Sequence, residues 1–326
     1  MKKLLIGSRS FGEYSSVGKE ILEKSGFVLK SIGPEFRPLD EEKLIKVLGE
    51  EKPQVYICGA EPISEKVLLA ASGLKLIVKH GVGIDNIDIS AATHLGIAVA
   101  NTPGTNTCAV ADFTIMAILA LLRNFYQAVR STKAGEWKRF LGNELGCMTV
   151  GLIGTGRIGK EVAKRLHGFG ANILAYDIVQ DSSLTQRYGV HYTTLEELLT
   201  RADVISLHLP LSSGTRNIIG RREFSMMKPT AYLVNLARGE LVDESALYEA
   251  LKDGLIAGAA LDVFAKEPPQ DSPLLSLENV LATPHIAAYT KEAMERMDRM
   301  CAELIIAFFS GSIPESVINP EVLESK

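Results

Sequence analysis

Short apolar runs alternate with amphipathic stretches along most of the chain. In the first hundred residues, the runs at 3–7, 27–32, 55–58, 76–78 and 97–100 read as strands. Between them, 17–24, 41–50, 65–72 and 89–94 carry apolar residues at helical spacing. A turn-rich stretch, Asn101-Thr102-Pro103-Gly104-Thr105-Asn106, makes a hinge candidate, and one long helix is expected over 107–131 with Asn106 as its N-cap. Beyond it, 149–153, 172–176, 204–209, 231–237, 256–262 and 280–284 read as strands. The intervening 160–169, 195–199, 221–227 and 244–252 read as helices, and a last helix covers 291–310. Strands that alternate with helices imply parallel, doubly wound α/β sheets. Repeats and low-complexity segments are absent from the pattern.

Composition narrows the picture. At 326 residues the chain has room for two ordinary domains. A net charge of -4 gives no electrostatic reason to expect nucleic acid or an anionic membrane as partner. The four cysteines, Cys58, Cys108, Cys147 and Cys301, are scattered without a CxxC pair, which suggests reduced thiols in a cytoplasmic protein and no metal framework. The start, MKKLLIGS, is too short for a signal-peptide core and reads as a first strand. The longest apolar run, 113–122, falls well short of the roughly 20 residues that span a bilayer and reads as a buried helix.

The strand at 149–153 stops at three glycines spaced Gly154-x-Gly156-x-x-Gly159, a helix follows, and the next strand ends in Asp177. In that context the glycines are a dinucleotide fingerprint. Gly154 allows the tight turn, Gly156 lets the backbone approach a pyrophosphate, and Gly159 lets helix and strand pack closely. The helix start offers free amides to the anion. Asp177 can accept hydrogen bonds from a ribose diol and would repel a 2′-phosphate, which favours NAD over NADP. Arg157 either touches the pyrophosphate or points into solvent; the sequence leaves both open. In the first hundred residues no such fingerprint occurs. There the loop His80-Gly81-Val82-Gly83-Ile84-Asp85-Asn86 follows a strand, where its amides could receive a carboxylate, or where Asp85 or Asn86 could simply cap a turn.

Three polar residues lie just past strands or in glycine-proline loops downstream: Arg238, Glu267 and His285. Oxidising an alcohol needs a base for the hydroxyl proton, and histidine suits that at neutral pH. A carboxylate beside it would favour the imidazolium and fix its tautomer, while a guanidinium can grip a substrate carboxylate. Residue type alone also allows structural roles for each.

Together these segments resemble the D-isomer-specific 2-hydroxyacid dehydrogenases, the family that includes D-3-phosphoglycerate dehydrogenase. The matching stretches are GVGIDNID (81–88), NTPGTNTCAVAD (101–112), GLIGTGRIG (151–159), SLHLPL (206–211), LVNLARGELVDESAL (233–247), GAALDVFAKEPP (258–269) and TPHIA (283–287). The resemblance implies a Rossmann NAD-binding domain at 102–287, inserted in a flavodoxin-like substrate domain made of 1–101 and 288–326. It makes His285 the general acid/base, Glu267 its partner, and Arg238 the group that binds the substrate carboxylate and carbonyl. The Val82 and Gly83 amides would take the substrate carboxylate. Around NAD it places Thr107, the loop residues Gly154, Thr155, Gly156, Arg157, Ile158 and Gly159, then Asp177, His208, Pro210, Ala237 and Asp262, the last holding the nicotinamide carboxamide. It also implies domains that close over a small-molecule substrate, and a homodimer built largely on the long helix after the hinge.

The chain departs from its relatives at several positions. Ala287-Ala288-Tyr289-Thr290 stands where many have glycines, and Tyr289 either lines the pocket or merely packs. Asp112 replaces a glutamate more usual in the family. In phosphoglycerate dehydrogenases an arginine near the position of Cys58 helps bind the phosphate; its absence counts against a phosphorylated substrate, although Lys79 could supply a charge. The chain ends at Lys326 without the regulatory domain of longer phosphoglycerate dehydrogenases, so serine feedback through such a domain is not expected. The substrate expected first is D-3-phosphoglycerate, followed by glyoxylate, hydroxypyruvate or another short 2-oxo acid. Formate dehydrogenases share the fold but lack a Glu–His pair. A different class, an NAD-sensing binding protein such as the co-repressors that resemble this family, keeps the triad but adds disordered regions that this chain lacks.

Overall fold

The computed structural model describes residues 2–324. Its chain divides into two compact units, Met1–Asn106 with Tyr289–Lys326, and Thr107–Ala288. The first boundary falls later than the expected 101 because the turn-rich stretch is tied into the first unit. There Asn101 Nδ2 donates to Val82 O (2.7 Å), Thr102 Oγ1 to Gly81 O (3.0 Å) and Arg296 Nε to Thr105 O (2.9 Å).

The first unit begins β1 (Lys2–Ile6), α1 (Val17–Lys24), β2 (Phe27–Ser31), α2 (Glu41–Glu51), β3 (Val55–Cys58), α3 (Glu65–Ala70), β4 (Leu76–Lys79), α4 (Ile89–His94) and β5 (Ala98–Ala100). Its five strands pair in parallel in the order β2-β1-β3-β4-β5. Alternate residues of β1 serve two cores: Leu5 packs with Leu44, Leu48 and Ile77, and Leu4 and Ile6 pack with Leu22 and Ile57. Strands β3 and β5 are buried throughout, which is why they read as unbroken apolar runs. The order reverses between β1 and β3, where such sheets open a crevice for ligands.

The second unit contains α5 (Thr107–Leu122), α6 (Phe125–Lys133), β6 (Thr149–Ile153), α7 (Arg157–Gly168), β7 (Asn172–Tyr176), α8 (Ser182–Tyr188), β8 (His191–Tyr192), α9 (Leu195–Arg201), β9 (Val204–Leu207), α10 (Arg221–Met226), β10 (Tyr232–Asn235), α11 (Glu244–Lys252), β11 (Gly258–Leu261) and β12 (Val280–Ala282). Its seven strands are parallel in the order β12-β11-β10-β9-β6-β7-β8, so the switch point lies between β6 and β9. The expected single helix over 107–131 is two helices bent by 64°. Asn124 takes a left-handed conformation at φ 47°, and its side-chain amide donates to Leu141 O (2.9 Å) while Asn143 N donates to Leu122 O. The returning loop thus takes up the Leu122 carbonyl through Asn143 N and holds the Asn124 side chain through Leu141 O, which ends α5. Among the described residues no single helix is long and apolar enough to cross a membrane; α5 and α6 reach that length only together, across the bend.

The chain then returns to the first unit with α12 (Lys291–Phe309) and α13 (Glu321–Glu324). Thr290 caps α12 by accepting from Ala293 N, and Met297, Cys301, Ala302 and Ile305 turn one buried face onto α1 and the sheet. Of these, Met297 and Ile305 each contribute roughly 1.5–3 kcal/mol through burial.

Candidate active site

The glycine turn sits at the C-terminal end of β6. Gly154 has φ +99°, and a side chain there would meet the His208 carbonyl at 2.7 Å, so only glycine fits. A Cβ on Gly159 would strike the Gly154 carbonyl at 2.2 Å, which is the close helix–strand approach expected of the third glycine. At Gly156 the space above the backbone is open for 4 Å. Among the described residues the amides of Gly156, Arg157 and Ile158, at the start of α7, donate to no protein acceptor. That bare, positively polarised cradle fits a pyrophosphate.

Asp177 closes the other side. One oxygen accepts from Thr155 N (2.6 Å) and Thr155 Oγ1 (3.1 Å), the other from Val179 N (3.0 Å). Burial alone would raise its pKa, but these donors outweigh it and hold the carboxyl below its ordinary value, so it stays ionised. A cleft of about 290 Å³ lies between Asp177, Gly156, Arg157, Lys160 and Asp181. Arg157 is exposed at its rim, and Lys160 is paired with Asp181 at 2.5 Å. Exchanging Asp177 for alanine is expected to cut the preference for NADH over NADPH by roughly ten- to a hundredfold, because a repulsive charge is removed. A wild type that already prefers NADPH in paired steady-state assays would overturn that role.

Just past β9, desolvation pulls the His208 imidazole down to about 4, so it is neutral beside Ser206 Oγ (3.0 Å). Pro210 follows it on an exposed turn, Ala237 follows β10, and Thr107 opens α5.

Arg238, Glu267 and His285 are carried by the loops after β10, β11 and β12, neighbouring strands of one sheet. His285 Nδ1 lies 2.8 Å from Glu267 Oε2, and Glu267 Oε1 accepts from Phe264 N (3.1 Å). Burial pushes the Glu267 carboxyl up, but the hydrogen bond and charge of His285, the Phe264 amide and the nearby Arg238 together hold it below its ordinary value. An ionised carboxylate at Nδ1 fixes the proton there and leaves Nε2 as the acceptor. The His285 side chain remains 51% exposed, and its backbone has φ +55°, an uncommon conformation for a non-glycine residue. Gly239 explains the approach of Arg238: a Cβ there would lie 2.0 Å from the Phe264 carbonyl carbon, so the two loops touch backbone to backbone. Arg238 Nη1 donates to Ala237 O (2.7 Å), and Asn235 holds the turn from below through Arg238 O and Ala237 N.

Asp262 is 1% exposed and uses both oxygens on the same loop. Oδ1 accepts from Thr283 Oγ1 (2.6 Å) and Ile286 N (2.8 Å), and Oδ2 from Ala287 N (2.8 Å). The resemblance implies that Asp262 holds the nicotinamide carboxamide; in the fold its oxygens also bind the residues flanking His285.

The carboxylate-loop candidate lies in the first unit. Gly81 has φ +149°, and Asn86 reaches across to Gly59 O (3.2 Å) and Glu61 O (2.6 Å) instead of capping its own turn. Among the described residues the Val82 and Gly83 amides donate to no protein acceptor. Lys79 Nζ is engaged by Gly59 O and by Asn86 Oδ1 (2.8 Å). Cys58 is fully buried, and burial pushes its thiol up to about 12, so it is no nucleophile. Tyr289 packs edge-on against Tyr14 at 6.1 Å and is half exposed. Among the described residues no cluster of three or more His, Cys, Asp or Glu could hold a metal ion.

Sequence reasoning passed over Ser8, Ser10, Glu61 and Asp298. All four are polar residues near the first unit's sheet, and their partners lie as far as 286 residues away. Only the serine-rich start of the loop after β1 could have hinted at them.

A dinucleotide turn with a carboxylate-bound histidine and an arginine on adjoining strand ends is the equipment of a nicotinamide-dependent dehydrogenase. Comparison with known proteins agrees: residues 115–287 match the model of the D-isomer specific 2-hydroxyacid dehydrogenase, NAD binding domain. A D-3-phosphoglycerate dehydrogenase of Methanocaldococcus jannaschii is 44% identical over 311 residues, 94% of this chain but 58% of that protein. The chain thus spans little more than half the length of that relative. A glyoxylate reductase of Korarchaeum cryptofilum is 45% identical over 271 residues, 81% of this chain and 82% of its own. Among solved structures, the D-lactate dehydrogenase of Aquifex aeolicus, complexed with NAD and lactic acid, aligns with a TM-score of 0.85 at 31% identity, covering 98% of this chain and 99% of that one. The chain belongs to the D-isomer specific 2-hydroxyacid dehydrogenases, with NAD as the cofactor of its second unit.

Proposed function

We propose that the chain interconverts a short D-2-hydroxy acid and its 2-oxo acid, with His285 as general acid/base. The 2.8 Å contact between Glu267 and His285, on the same sheet that carries the glycine turn, supports the reading most directly. NAD, when bound, supplies the hydride acceptor. In the oxidation direction His285 Nε2 takes the hydroxyl proton, and the Glu267 carboxylate stabilises the imidazolium that results. Arg238 binds the substrate carboxylate and polarises the adjacent carbonyl. Val82 and Gly83 offer two amides to the carboxylate, and Asp262 serves the nicotinamide side by holding the His285 loop.

The substrate we favour is an unphosphorylated 2-oxo acid of the glyoxylate or hydroxypyruvate type. Lys79 is already bound to Gly59 and Asn86, and the buried Glu61 carboxylate accepts from Gly59 N (3.0 Å) in the loop after β3. A phosphate brought there would compete with Gly59 and Asn86 for the Lys79 ammonium and would stand near the Glu61 carboxylate. D-3-phosphoglycerate is the second reading, favoured by the 44% identical relative of that name and by Arg9, exposed in the loop after β1. NADH oxidation against glyoxylate, hydroxypyruvate, pyruvate and 3-phosphohydroxypyruvate separates the two. Turnover of at least one is expected. NADH binding without turnover of any would leave an NAD-sensing protein in its place.

For assembly we propose a homodimer. Phe125 and Tyr126 on α6, with Trp137 and Leu141 beyond it, expose large apolar side chains in the helix region expected to pair. A cytoplasmic location accords with four free cysteines.

A further inference from the structure

The dinucleotide cleft of the second unit holds two carboxylates, and cofactor binding as described above uses only Asp177. Asp181, four residues on, lines the same cleft of about 290 Å³ with Gly156, Arg157, Lys160 and Val179. Lys160 lies in the first turn of α7, and its stem reaches from the glycine turn to the start of α8. There its ammonium meets Asp181 Oδ2 at 2.5 Å. Asp181 Oδ1 meanwhile caps α8 by accepting from Ser183 N (2.9 Å). The Lys160 ammonium, with the Ser183 hydroxyl and amide, holds the Asp181 carboxyl down to about 2, so it is ionised at neutral pH.

The two acids are fastened to one another. Thr155, 3% exposed, donates its hydroxyl proton to Asp177 Oδ2 (3.1 Å). Having only that proton, it accepts from Tyr192 Oη on β8, 3.0 Å away. Tyr192 Oη in turn accepts from Asp181 N (3.1 Å). Donors therefore run one way, from Asp181 through Tyr192 and Thr155 to Asp177, which fixes where both carboxylates stand along the cleft wall. An ion pair as exposed as Lys160–Asp181 adds little to stability, so stability does not account for its place here.

Charge recognition does account for it. Lysine suits a phosphate, because it carries a compact charge with three donors on a flexible stem. Left free, Lys160 would join Arg157 in offering positive charge to a phosphate, against the repulsion of Asp177. Asp181 occupies the ammonium and adds a second negative charge to the wall. A neutral ribose diol loses nothing by this, whereas a 2′-phosphate loses a cation and gains a repulsion.

We infer that Asp181 is a second cofactor-specificity residue, which excludes 2′-phosphorylated dinucleotides by engaging Lys160. The inference rests on the diol role given to Asp177 and holds whichever 2-oxo acid is the substrate. Asp181 is a positioning residue, since it acts through Lys160, and Tyr192 ties its loop to Asp177.

NADH and NADPH differ by the 2′-phosphate alone, so the ratio of their dissociation constants in fluorescence titrations reads the contact without turnover. Asp181→Asn removes the charge but keeps an oxygen for the Ser183 amide, so α8 stays capped. In an Asp177→Ala background, adding Asp181→Asn is expected to shift the ratio toward NADPH by a further five- to tenfold, roughly. Raising the salt concentration should erode that gain, because the new contact is ionic. Adding Lys160→Met should abolish most of it. A ratio that stays at its Asp177→Ala value overturns the inference, as does a gain that survives Lys160→Met. Two affinities that fall together leave the ratio unmoved and overturn it too, making Asp181 a helix cap only. Melting curves verify that each variant is folded. An Asp177→Ala ratio equal to wild type would instead sink the Asp177 role itself, a result visible before Asp181 is touched.

Discussion

Replacing His285 with alanine is expected to lower kcat by about 10² to 10⁴ while NADH binding changes by less than about twofold. Histidine provides the one ring nitrogen in this site that is free, basic and steered by a carboxylate, and alanine leaves the proton with no acceptor. Its side chain is half exposed and, among the described residues, bonds only Glu267, so little stability is lost with it. The glycine cradle on β6 and α7 is untouched. Stopped-flow turnover and NADH fluorescence titration separate the two effects. Turnover within a few-fold of wild type would remove His285 from the chemistry.

The second large effect is expected at Asp262. Its alanine variant strands three donors, Thr283 Oγ1, Ile286 N and Ala287 N, in a site that is almost fully buried. Breaking such a network costs about 3–5 kcal/mol, which lowers the melting midpoint of a unit this size by roughly 10 °C. Activity should fall as well, because these donors set the strained backbone of His285. Calorimetry compares the midpoints. A shift below about 2 °C would mean that the loop holds itself, and that Asp262 is free for the cofactor role the sequence suggested.

The parts of the site legible in the sequence were those written locally. Gly154, Gly156, Gly159 and Asp177 lie within one βαβ unit, and each glycine has a steric demand that its neighbours create. Arg238, Glu267 and His285 are distant in sequence but each sits at a strand end, so the strand pattern places them on one sheet edge. What escaped was decided elsewhere in the chain. The bend at Asn124 depends on the carbonyl of Leu141 and the amide of Asn143, which no helical periodicity can foresee. Helix α8 was missed although Asp181 caps it and Gly189 ends it in a left-handed turn, signals overlooked between two stronger strands. The His80–Asp298 pair joins residues 218 positions apart. Asp298, in an amphipathic helix, looks like any solvated acid until α12 is docked.

That docking has a consequence for synthesis. The first unit cannot be finished when its first 106 residues leave the ribosome. Gly12 N and His80 still await Asp298, Val99 N awaits Asn319 Oδ1 (2.8 Å), and the face of α1 awaits α12. The second unit needs nothing from either flank for its seven-stranded sheet, so it can close while the earlier segment is still partly open. The unit begun before the other is completed after it, and the nascent chain carries an unsealed apolar sheet face until residues 289–326 emerge. Chaperone demand should therefore concentrate on the first unit, although the second is the larger.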